Sequence, residues 1–239
     1  MINIKKTQKN LQNSGYSPGL IDGIWGRMTA TACLAHQSAR RPDAMMLAVG
    51  RALGSEALEG GLLENRYRLS EFLAQTSHET GGYRRFEENM KYSARRLMKV
   101  WPTRFRSLAQ AIPFSWDPSD PDREDIALAN KVYGGRMGNE ADGTDDNDGW
   151  DHRGGGLMQH TGAEEYERLR EIGITPEQIH GGDPLAMVQA ALSYWNYIGA
   201  NGRCDRGEFK SLRRRINGGY NGLNEVTRGR ARSLSVIVD

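Results

Sequence analysis

Two glutamates, Glu79 and Glu88, stand nine positions apart in a pattern that suits acid–base chemistry. Glu79 lies seven residues after Phe72, at the edge of an apolar helical stripe, and the pair Gly81-Gly82 that follows is expected to end that helix. Partial burial and the negative end of a helix dipole both disfavour an ionised carboxylate, so the position predicts a raised pKa for Glu79. General-acid cleavage of a glycosidic bond requires a carboxylic acid of this kind.

Glu88 follows the glycine pair, and a turn between the two glutamates would let their side chains face each other across a cleft. Inverting glycosidases hold their two carboxyl groups roughly 6.5–9.5 Å apart, which leaves room for a water molecule. Glu87 adjoins Glu88 and offers the same functional group, so spacing alone does not choose between them. The chain carries 30 acidic residues, most of them expected on a solvated surface, and a surface role for these glutamates therefore stays open at this level.

The helix that must position Glu79 is predicted over residues 67–78, where apolar positions recur at i, i+3, i+4 and i+7 from Leu69 to Thr76. The rest of the chain also shows mainly helical periodicity. The segment 134–156 is the exception, because it is dense in Gly, Asp and Asn and is expected to form a loop or a short hairpin. Further helices are predicted at 92–100, 122–132, 163–171, 184–198 and 206–215.

The first forty or so residues form a pattern of their own. A short amphipathic helix is expected around Leu11, turn-forming residues follow it, and Thr29 is predicted to cap a second helix. Another helical stretch begins after a Pro-Asp pair. The domain boundary is therefore placed near this pair, which divides the chain into residues 1–42 and 43–239.

Composition restricts the class of protein. The chain has 239 residues, 38% hydrophobic and 26% charged, which is typical of a soluble globular protein with one larger and one small domain. The net charge of +2 is small, the basic residues are scattered and no known nucleic-acid module is present, so nucleic acid is not expected as a partner. A monomer is the default expectation.

The expected compartment follows from the apolar segments. None is long enough to span a membrane, so stable membrane insertion is not expected, and the N-terminal segment lacks the apolar core of a secretory signal. These patterns predict synthesis in a cytoplasm. Cys33 and Cys204 are accordingly expected to be buried, reduced thiols.

Several motifs resemble those of glycoside hydrolase family 19, which includes plant chitinases and many phage endolysins. Residues 72–82 resemble the acid motif of that family, and residues 86–94 resemble the endolysin form of the next motif. In that motif the glutamate before the asparagine is the general base, which selects Glu88 over Glu87. The resemblance covers about residues 65–239 in the family's order. The other matching blocks are 101–105, 129–139, 148–162 and 216–222.

By this resemblance, the C-terminal domain is expected to have a mainly α, lysozyme-like α+β fold and to hydrolyse β-1,4 glycosidic bonds with inversion. Glu79 would be the general acid and Glu88 the general base, and Thr161 would help to hold the attacking water. Neither a metal ion nor an organic cofactor is implied. The residues expected to contact the sugar chain are Tyr92, Trp150, Gln159 and Asn217.

Two positions depart from the family pattern, since Gly155 stands where the cleft motif usually carries an arginine and Glu165 replaces a later asparagine. Residues 4–37 resemble a separate module, the small peptidoglycan-binding domain of three short helices. Together the resemblances predict a phage-type endolysin, released from the host bacterial cytoplasm onto the peptidoglycan of the cell wall at lysis. The positions that match the binding module are Gln8, Leu11, Gly15, Tyr16, 21–26, Thr29 and Gln37.

Other side chains leave alternatives open. Four histidines offer zinc ligands of the kind that cell-wall amidases use, although without a compact spacing, and Cys204 offers a nucleophile for a peptidase. Residues 142–149 loosely resemble a calcium-binding loop that lacks its final glutamate. The arginines at 213–215 are expected on a charged helix face. Chitin is an alternative substrate, and a wall-binding protein with an inactive hydrolase fold is the non-enzymatic alternative. The histidines concerned are His78, His152, His160 and His180.

Overall fold

A computed structural model describes residues 1–120, 125–140 and 147–239, and this part of the chain is mainly helical, as predicted. Outside the helices, isolated β-bridges pair Gly155 with Glu87 and with His160. None of the described helices is long and apolar enough to cross a membrane. The helices are α1 (Ile4–Asn13), α2 (Arg27–Ser38), α3 (Ala44–Glu56), α4 (Arg66–Glu79), α5 (Ala94–Val100), α6 (Leu108–Ala111), α7 (Ile126–Tyr133), α8 (Asp148–Asp151), α9 (Ala163–Glu171), α10 (Pro176–His180), α11 (Pro184–Tyr197), α12 (Ala200–Asp205), α13 (Phe209–Asn217) and α14 (Leu223–Leu234).

The chain divides into two compact units that alternate along the sequence. The larger unit contains α1–α4 and α11–α14, and the smaller unit contains α5–α10. The larger unit comprises Met1–Phe86, Gly156–Met158 and Gly181–Asp239, and the smaller comprises Glu87–Gly155 and Gln159–His180.

Within the larger unit, α4 packs against α14 along its length. Phe72 on the buried face of α4 meets Trp195 edge-on, with ring centroids 5.3 Å apart. The side chain of Asn65 caps the helix by accepting a hydrogen bond from the Tyr67 N–H at 2.8 Å. The helix predicted over 67–78 is thus present and extends by one residue at each end.

The start of α2 corrects one prediction. The residue that caps this helix is Gly26, in extended backbone, and the helix begins at Arg27 rather than at a Thr29 cap. Thr29 lies inside the helix, where its hydroxyl accepts a hydrogen bond from Gln8 Nε2 at 3.1 Å and donates to the Pro18 carbonyl at 3.3 Å. The predicted cap was wrong because the Thr29 hydroxyl bonds to residues distant in sequence and not to the N–H groups that begin α2.

Residues 1–42 are part of the larger unit. They contain α1 and α2. Helix α3, which packs on α2, begins at Ala44, just past the predicted boundary. The Asn3 N–H donates to the Val238 carbonyl at 2.9 Å, and Ser233 Oγ donates to Gln37 Oε1 at 2.6 Å. A separate wall-binding domain over residues 1–42 stays a prediction.

The smaller unit has its own hydrophobic core. The predicted helices at 92–100 and 163–171 are present as α5 and α9, and that at 122–132 as α7, with residues 122–124 outside the described residues. The described residues of 134–156 form turns and the short helix α8. The core side chains belong to Met90, Leu97, Phe105, Ala111, Leu128, Ala129 and Val132.

The helix α14 was absent from the sequence prediction. Its sequence is mostly polar and contains a glycine, which lowers helix propensity. A side chain at Gly229 would lie 2.7 Å from Gln37 Nε2 and 3.2 Å from Ala74 Cβ, so the glycine allows close packing. The predicted helices at 184–198 and 206–215 correspond to α11 and α13.

Both cysteines are buried and unpaired, as predicted. Burial raises the pKa of Cys33 to about 12, and burial also raises the pKa of Cys204. Neither thiol is therefore set up as a thiolate nucleophile at neutral pH.

Candidate active site

Glu79 is the last residue of α4, and its side chain is 17% exposed, in agreement with the predicted partial burial. The chain leaves the helix through Gly81 and Gly82, whose φ angles of +59° and +79° favour glycine. Arg213 Nη1 donates to Glu79 Oε1 at 2.5 Å. This guanidinium stabilises negative charge on the carboxylate, an influence that the spacing of Glu79 along the sequence does not reveal.

Arg213 is fully buried, unlike the exposed Arg214 and Arg215 that follow it. It also donates from Nη1 to Gln75 Oε1 at 2.9 Å and from Nε to the Asn221 carbonyl at 2.8 Å. The prediction of a charged helix face was therefore wrong for Arg213. A signal existed, because the apolar positions 209, 212 and 216 place residue 213 on the inner side of α13.

A line of polar side chains runs along α4 behind Glu79. Glu71, Gln75 and Glu79 are four residues apart, and so lie on one face of the helix. Gln75 Nε2 donates to Glu71 Oε1 at 2.8 Å, and Arg230 Nη1 donates to Glu71 Oε2 at 2.9 Å. Burial raises the pKa of Glu71, and the Arg230 guanidinium opposes that rise. Continuous polar contacts thus connect Arg230, through Glu71, Gln75 and Arg213, to the predicted acid.

Glu88, in the smaller unit, is held by a tyrosine. Tyr133 Oη donates to Glu88 Oε2 at 2.5 Å, and the Gly154 N–H donates to the same oxygen at 3.4 Å. The Glu88 N–H donates to the Gly154 carbonyl at 2.8 Å. Burial raises the pKa of Glu88, while the two hydrogen bonds to Oε2 and the charge of Arg153 lower it. The result is a half-buried carboxylate with a raised pKa, which suits a general base.

Gly154 lies between Glu88 and a second predicted residue, Gln159. A methyl group on Gly154 would lie 3.2 Å from Glu88 Oε2 and 3.3 Å from Gln159 Oε1, so both side chains flank the glycine. Thr161 Oγ1 donates to the Gln159 carbonyl at 3.0 Å. Gln159 adopts φ = +53°, a left-handed conformation that costs energy for a non-glycine residue. Gln159 thus lies beside Glu88 across Gly154, and Thr161 is joined to the backbone of Gln159, while their predicted roles in binding sugar and water stay predictions.

Glu87, the residue that spacing alone did not separate from Glu88, has different surroundings. His180 Nδ1 lies 3.2 Å from Glu87 Oε1, and Arg153 Nη2 donates to the same oxygen at 2.8 Å. The contacts with His180 and Arg153 hold the pKa of Glu87 below its usual range. A carboxylate in this ion pair is a weaker proton acceptor than Glu88.

The two aromatic side chains predicted to contact sugar lie in the smaller unit. Both are half-buried and pack partly against its core. Tyr92 meets Trp101 edge-on at 5.0 Å, and the Arg153 guanidinium stacks 3.7 Å from the centre of the Trp150 ring. Asn217, in the larger unit, is the exposed last residue of α13. Their contacts with substrate stay a prediction.

The departures from the family pattern have structural causes. A side chain at Gly155 would lie 2.8 Å from both Ile179 Cγ2 and His180 Cε1, so α10 leaves no room for a side chain at this position. Glu165 accepts a hydrogen bond from His160 Nδ1 at 3.1 Å and pairs with Arg168. Burial lowers the pKa of His160 to about 3, which leaves that imidazole neutral.

The histidines have structural contacts of several kinds. His78 packs against the backbone of Gly222, where a side chain would clash with its ring, and His180 contacts Tyr166. Among residues 1–120, 125–140 and 147–239, no three His, Cys, Asp or Glu side chains come together as a metal-binding group. The loop compared with a calcium site lies largely outside the described residues, since 142–146 belong to the part not described.

A mainly helical protein that offers two partly buried carboxylates, one beside an arginine and one beside a tyrosine, has the groups that a glycoside hydrolase uses. Over 180 residues the chain is 32% identical to a glycosyl hydrolase family 19 domain-containing protein of Haemophilus influenzae, an alignment that covers 74% of this chain and 83% of that protein. No family model matches the chain. The chain belongs to glycosyl hydrolase family 19, and the protein is a glycoside hydrolase of this chitinase-like family.

Proposed function

We propose that this glycoside hydrolase is an endolysin, which cuts β-1,4 glycosidic bonds of bacterial peptidoglycan with inversion and so lyses the host cell. The observation that carries the proposal is the cluster around Gly154, where Glu88 and Gln159 flank one glycine and the Gln159 carbonyl binds Thr161. A base, a sugar-binding amide and a hydroxyl that can hold water are the groups that this reaction needs on one side of the bond.

In this mechanism Glu79 protonates the leaving oxygen as the glycosidic bond breaks. The proton leaves a carboxylate, and the buried guanidinium of Arg213 at 2.5 Å stabilises the charge that forms. Gln75 and the Asn221 carbonyl hold Arg213 in place, so it is positioned to stabilise the carboxylate that remains after proton transfer.

Glu88 removes a proton from water held in part by Thr161 Oγ1, and the water oxygen attacks the anomeric carbon from the face opposite the leaving group. The half-burial of Glu88 supports this role, because a raised pKa makes its carboxylate a better proton acceptor. Tyr92, Trp150, Gln159 and Asn217 would contact the sugar chain.

The N-terminal segment, residues 1–42, would bind the wall and so raise the effective concentration of substrate for the catalytic residues. The enzyme would accumulate in the host bacterial cytoplasm and reach the peptidoglycan at lysis, acting as a monomer. The resemblance of residues 4–37 to a peptidoglycan-binding module supports this part of the proposal.

The experiment that tests the bond is mass spectrometry of purified peptidoglycan after digestion, with chitin oligosaccharides in parallel. New reducing ends with intact stem peptides are expected, and proton NMR of the first product should show the α anomer. Freed peptide amines on uncut glycan would refute cleavage of glycosidic bonds in peptidoglycan. Cleavage of chitin alone would refute the role as an endolysin.

Variants test the two carboxylates. Glu79→Gln and Glu88→Gln are each expected to retain binding to purified cell wall and to lose at least about a thousandfold in hydrolysis, because each removes one proton-transfer group. Glu87→Gln is the matched control, since it makes the same change at the neighbouring residue and should keep most of the activity. A lytic Glu79→Gln enzyme would exclude Glu79 as the acid.

A further inference from the structure

The two oxygen atoms of Glu88 have different surroundings. Oε2 accepts hydrogen bonds from the Tyr133 hydroxyl at 2.5 Å and from the Gly154 N–H at 3.4 Å. Oε1 accepts none from the described residues. Two donors on one oxygen fix the plane of the carboxylate and leave the lone pairs of the other oxygen available.

We infer that Tyr133 is a positioning residue for the proposed base: its hydroxyl holds Oε2 of Glu88, so that Oε1 is the atom that takes the proton from water. This inference rests on the proposed function, in which Glu88 is the general base. The O–H bond of water breaks as its oxygen bonds to the anomeric carbon, and the proton goes to Oε1. The electrons of the glycosidic bond leave with the sugar oxygen, which Glu79 protonates.

Tyr133 is well fixed for this task. It is the last residue of α7, its ring packs against the core of the smaller unit, and its carbonyl accepts a hydrogen bond from Asn139 Nδ2 at 3.2 Å. Burial and the nearby Glu88 raise the pKa of Tyr133 above its usual value. Its hydroxyl therefore remains protonated, and remains a donor, over the whole range in which Glu88 titrates.

The groups around this pair set the direction of the expected effect. Burial raises the pKa of Glu88, and it is opposed by the Tyr133 hydroxyl, by the Gly154 N–H and by the Arg153 guanidinium. Tyr92 and Arg136 act on Tyr133 rather than on the carboxylate. Removing the hydroxyl takes away one of the groups that lower the pKa of Glu88, so this pKa should rise.

The test is Tyr133→Phe, which keeps the ring in the core and removes the hydroxyl. Since the base must be ionised, the acidic limb of the kcat/KM profile should move to higher pH by about one unit, the size expected for losing a hydrogen bond to a charged group. KM should stay near the wild-type value. Tyr83→Phe is the control, because it removes a buried hydroxyl that donates to the Leu73 carbonyl at 3.0 Å, and its profile should keep the wild-type midpoint.

A second variant acts in the opposite direction. Site-specific 3-fluorotyrosine at position 133 has a more acidic hydroxyl and a nearly unchanged shape, so it should strengthen the bond and move the acidic limb to lower pH. It also replaces Tyr133→Phe if that variant does not fold. If neither change at position 133 moves the limb, Tyr133 has only a structural role and the inference is overturned.

Direct titration separates this inference from the proposed function. Carbon-13 NMR of the Glu88 carboxyl in the full chain should show the same upward shift of its pKa in Tyr133→Phe without any substrate. If the protein cuts no glycan but the pKa of Glu88 shifts in Tyr133→Phe, the proposed function is refuted and the effect of Tyr133 on Glu88 is confirmed. An active chain whose Glu88 titration is unmoved would refute the role of Tyr133.

Discussion

Gly155 offers the sharpest test of how this chain departs from its family. The atoms nearest to a Cβ at this position would be Ile179 Cγ2 and His180 Cε1, both at 2.8 Å, and Tyr166 Oη at 3.0 Å. Carbon atoms normally pack at about 3.5–4.0 Å, so Gly155→Ala makes contacts too short by roughly 0.7 Å. The backbone has little freedom to retreat, because the N–H and carbonyl of Gly155 both bond to His160, at 3.0 and 2.8 Å.

Overpacking of this kind costs about 1–3 kcal/mol. Replacing glycine by alanine also lowers the conformational entropy of the unfolded chain, which stabilises the folded protein by about 0.4–1 kcal/mol. With the middle of each range, the net destabilisation of Gly155→Ala should be about 1–2 kcal/mol. In a chain of this size that lowers Tm by roughly 2–8 °C.

The assay is urea denaturation of the full chain at neutral pH, supported by a thermal melt. Gly26→Ala is the matched control, because it adds the same methyl group where nothing lies within 4 Å and where φ is extended. Gly26 is the N-cap of α2, where alanine is less favourable than glycine by roughly 0.5–1 kcal/mol, and the restricted unfolded chain offsets about 0.4–1 kcal/mol, so the net change should be close to zero. Gly155→Arg, which restores the residue typical of the family, should be less stable than Gly155→Ala. A Gly155→Ala protein as stable as wild type would refute the packing argument.

Two further predictions concern buried charge and backbone strain. Arg230→Met leaves the fully buried Glu71 with only Gln75 as a partner and should cost about 3 kcal/mol at pH 7. Burial raises the pKa of Glu71 in the folded chain above its value in the unfolded chain. Stability should therefore be retained below the unfolded pKa and lost as the pH rises through the folded pKa, where Glu71 ionises. An equal loss of stability at pH 5 and pH 8 by urea denaturation would contradict this. Gln159→Gly relieves a φ of +53° and should leave the denaturation midpoint equal or higher while hydrolysis falls by tenfold or more, whereas unchanged hydrolysis would remove Gln159 from the site.

Apolar periodicity predicted the helices that bury a hydrophobic face. The helix that carries Glu79 was found to within one residue at each end, because its inner positions repeat with helical spacing. Helix α14 was not found, since its stability comes from packing on α4 across a glycine contact rather than from its own sequence. The cap of α2 was misassigned because the Thr29 hydroxyl bonds to residues distant in sequence, which local rules do not see.

The candidate site was only partly visible in the sequence. Spacing did not separate Glu88 from Glu87, and the choice came from the resemblance to the family; the structure adds a physical reason, since Glu87 is engaged by Arg153 and His180. The buried position of Arg213 was readable from the apolar residues around it. Tyr133 lies in the matching block 129–139, but its contact with Glu88 was not predicted, because the two residues are 45 positions apart and only folding brings them together.

The adjacent residues Gly154 and Gly155 show how one short segment serves both site and fold. Successive residues of an extended chain direct their side chains to opposite faces. The Cβ direction of Gly154 points at Glu88 and Gln159, so its missing side chain leaves room for the proposed base. The Cβ direction of Gly155 points at Tyr166 and α10, so the absence of a side chain lets these groups pack directly against the segment. The position that the family motif usually fills with arginine therefore lies on the packing side of the segment, and Gly154 is the glycine that adjoins Glu88.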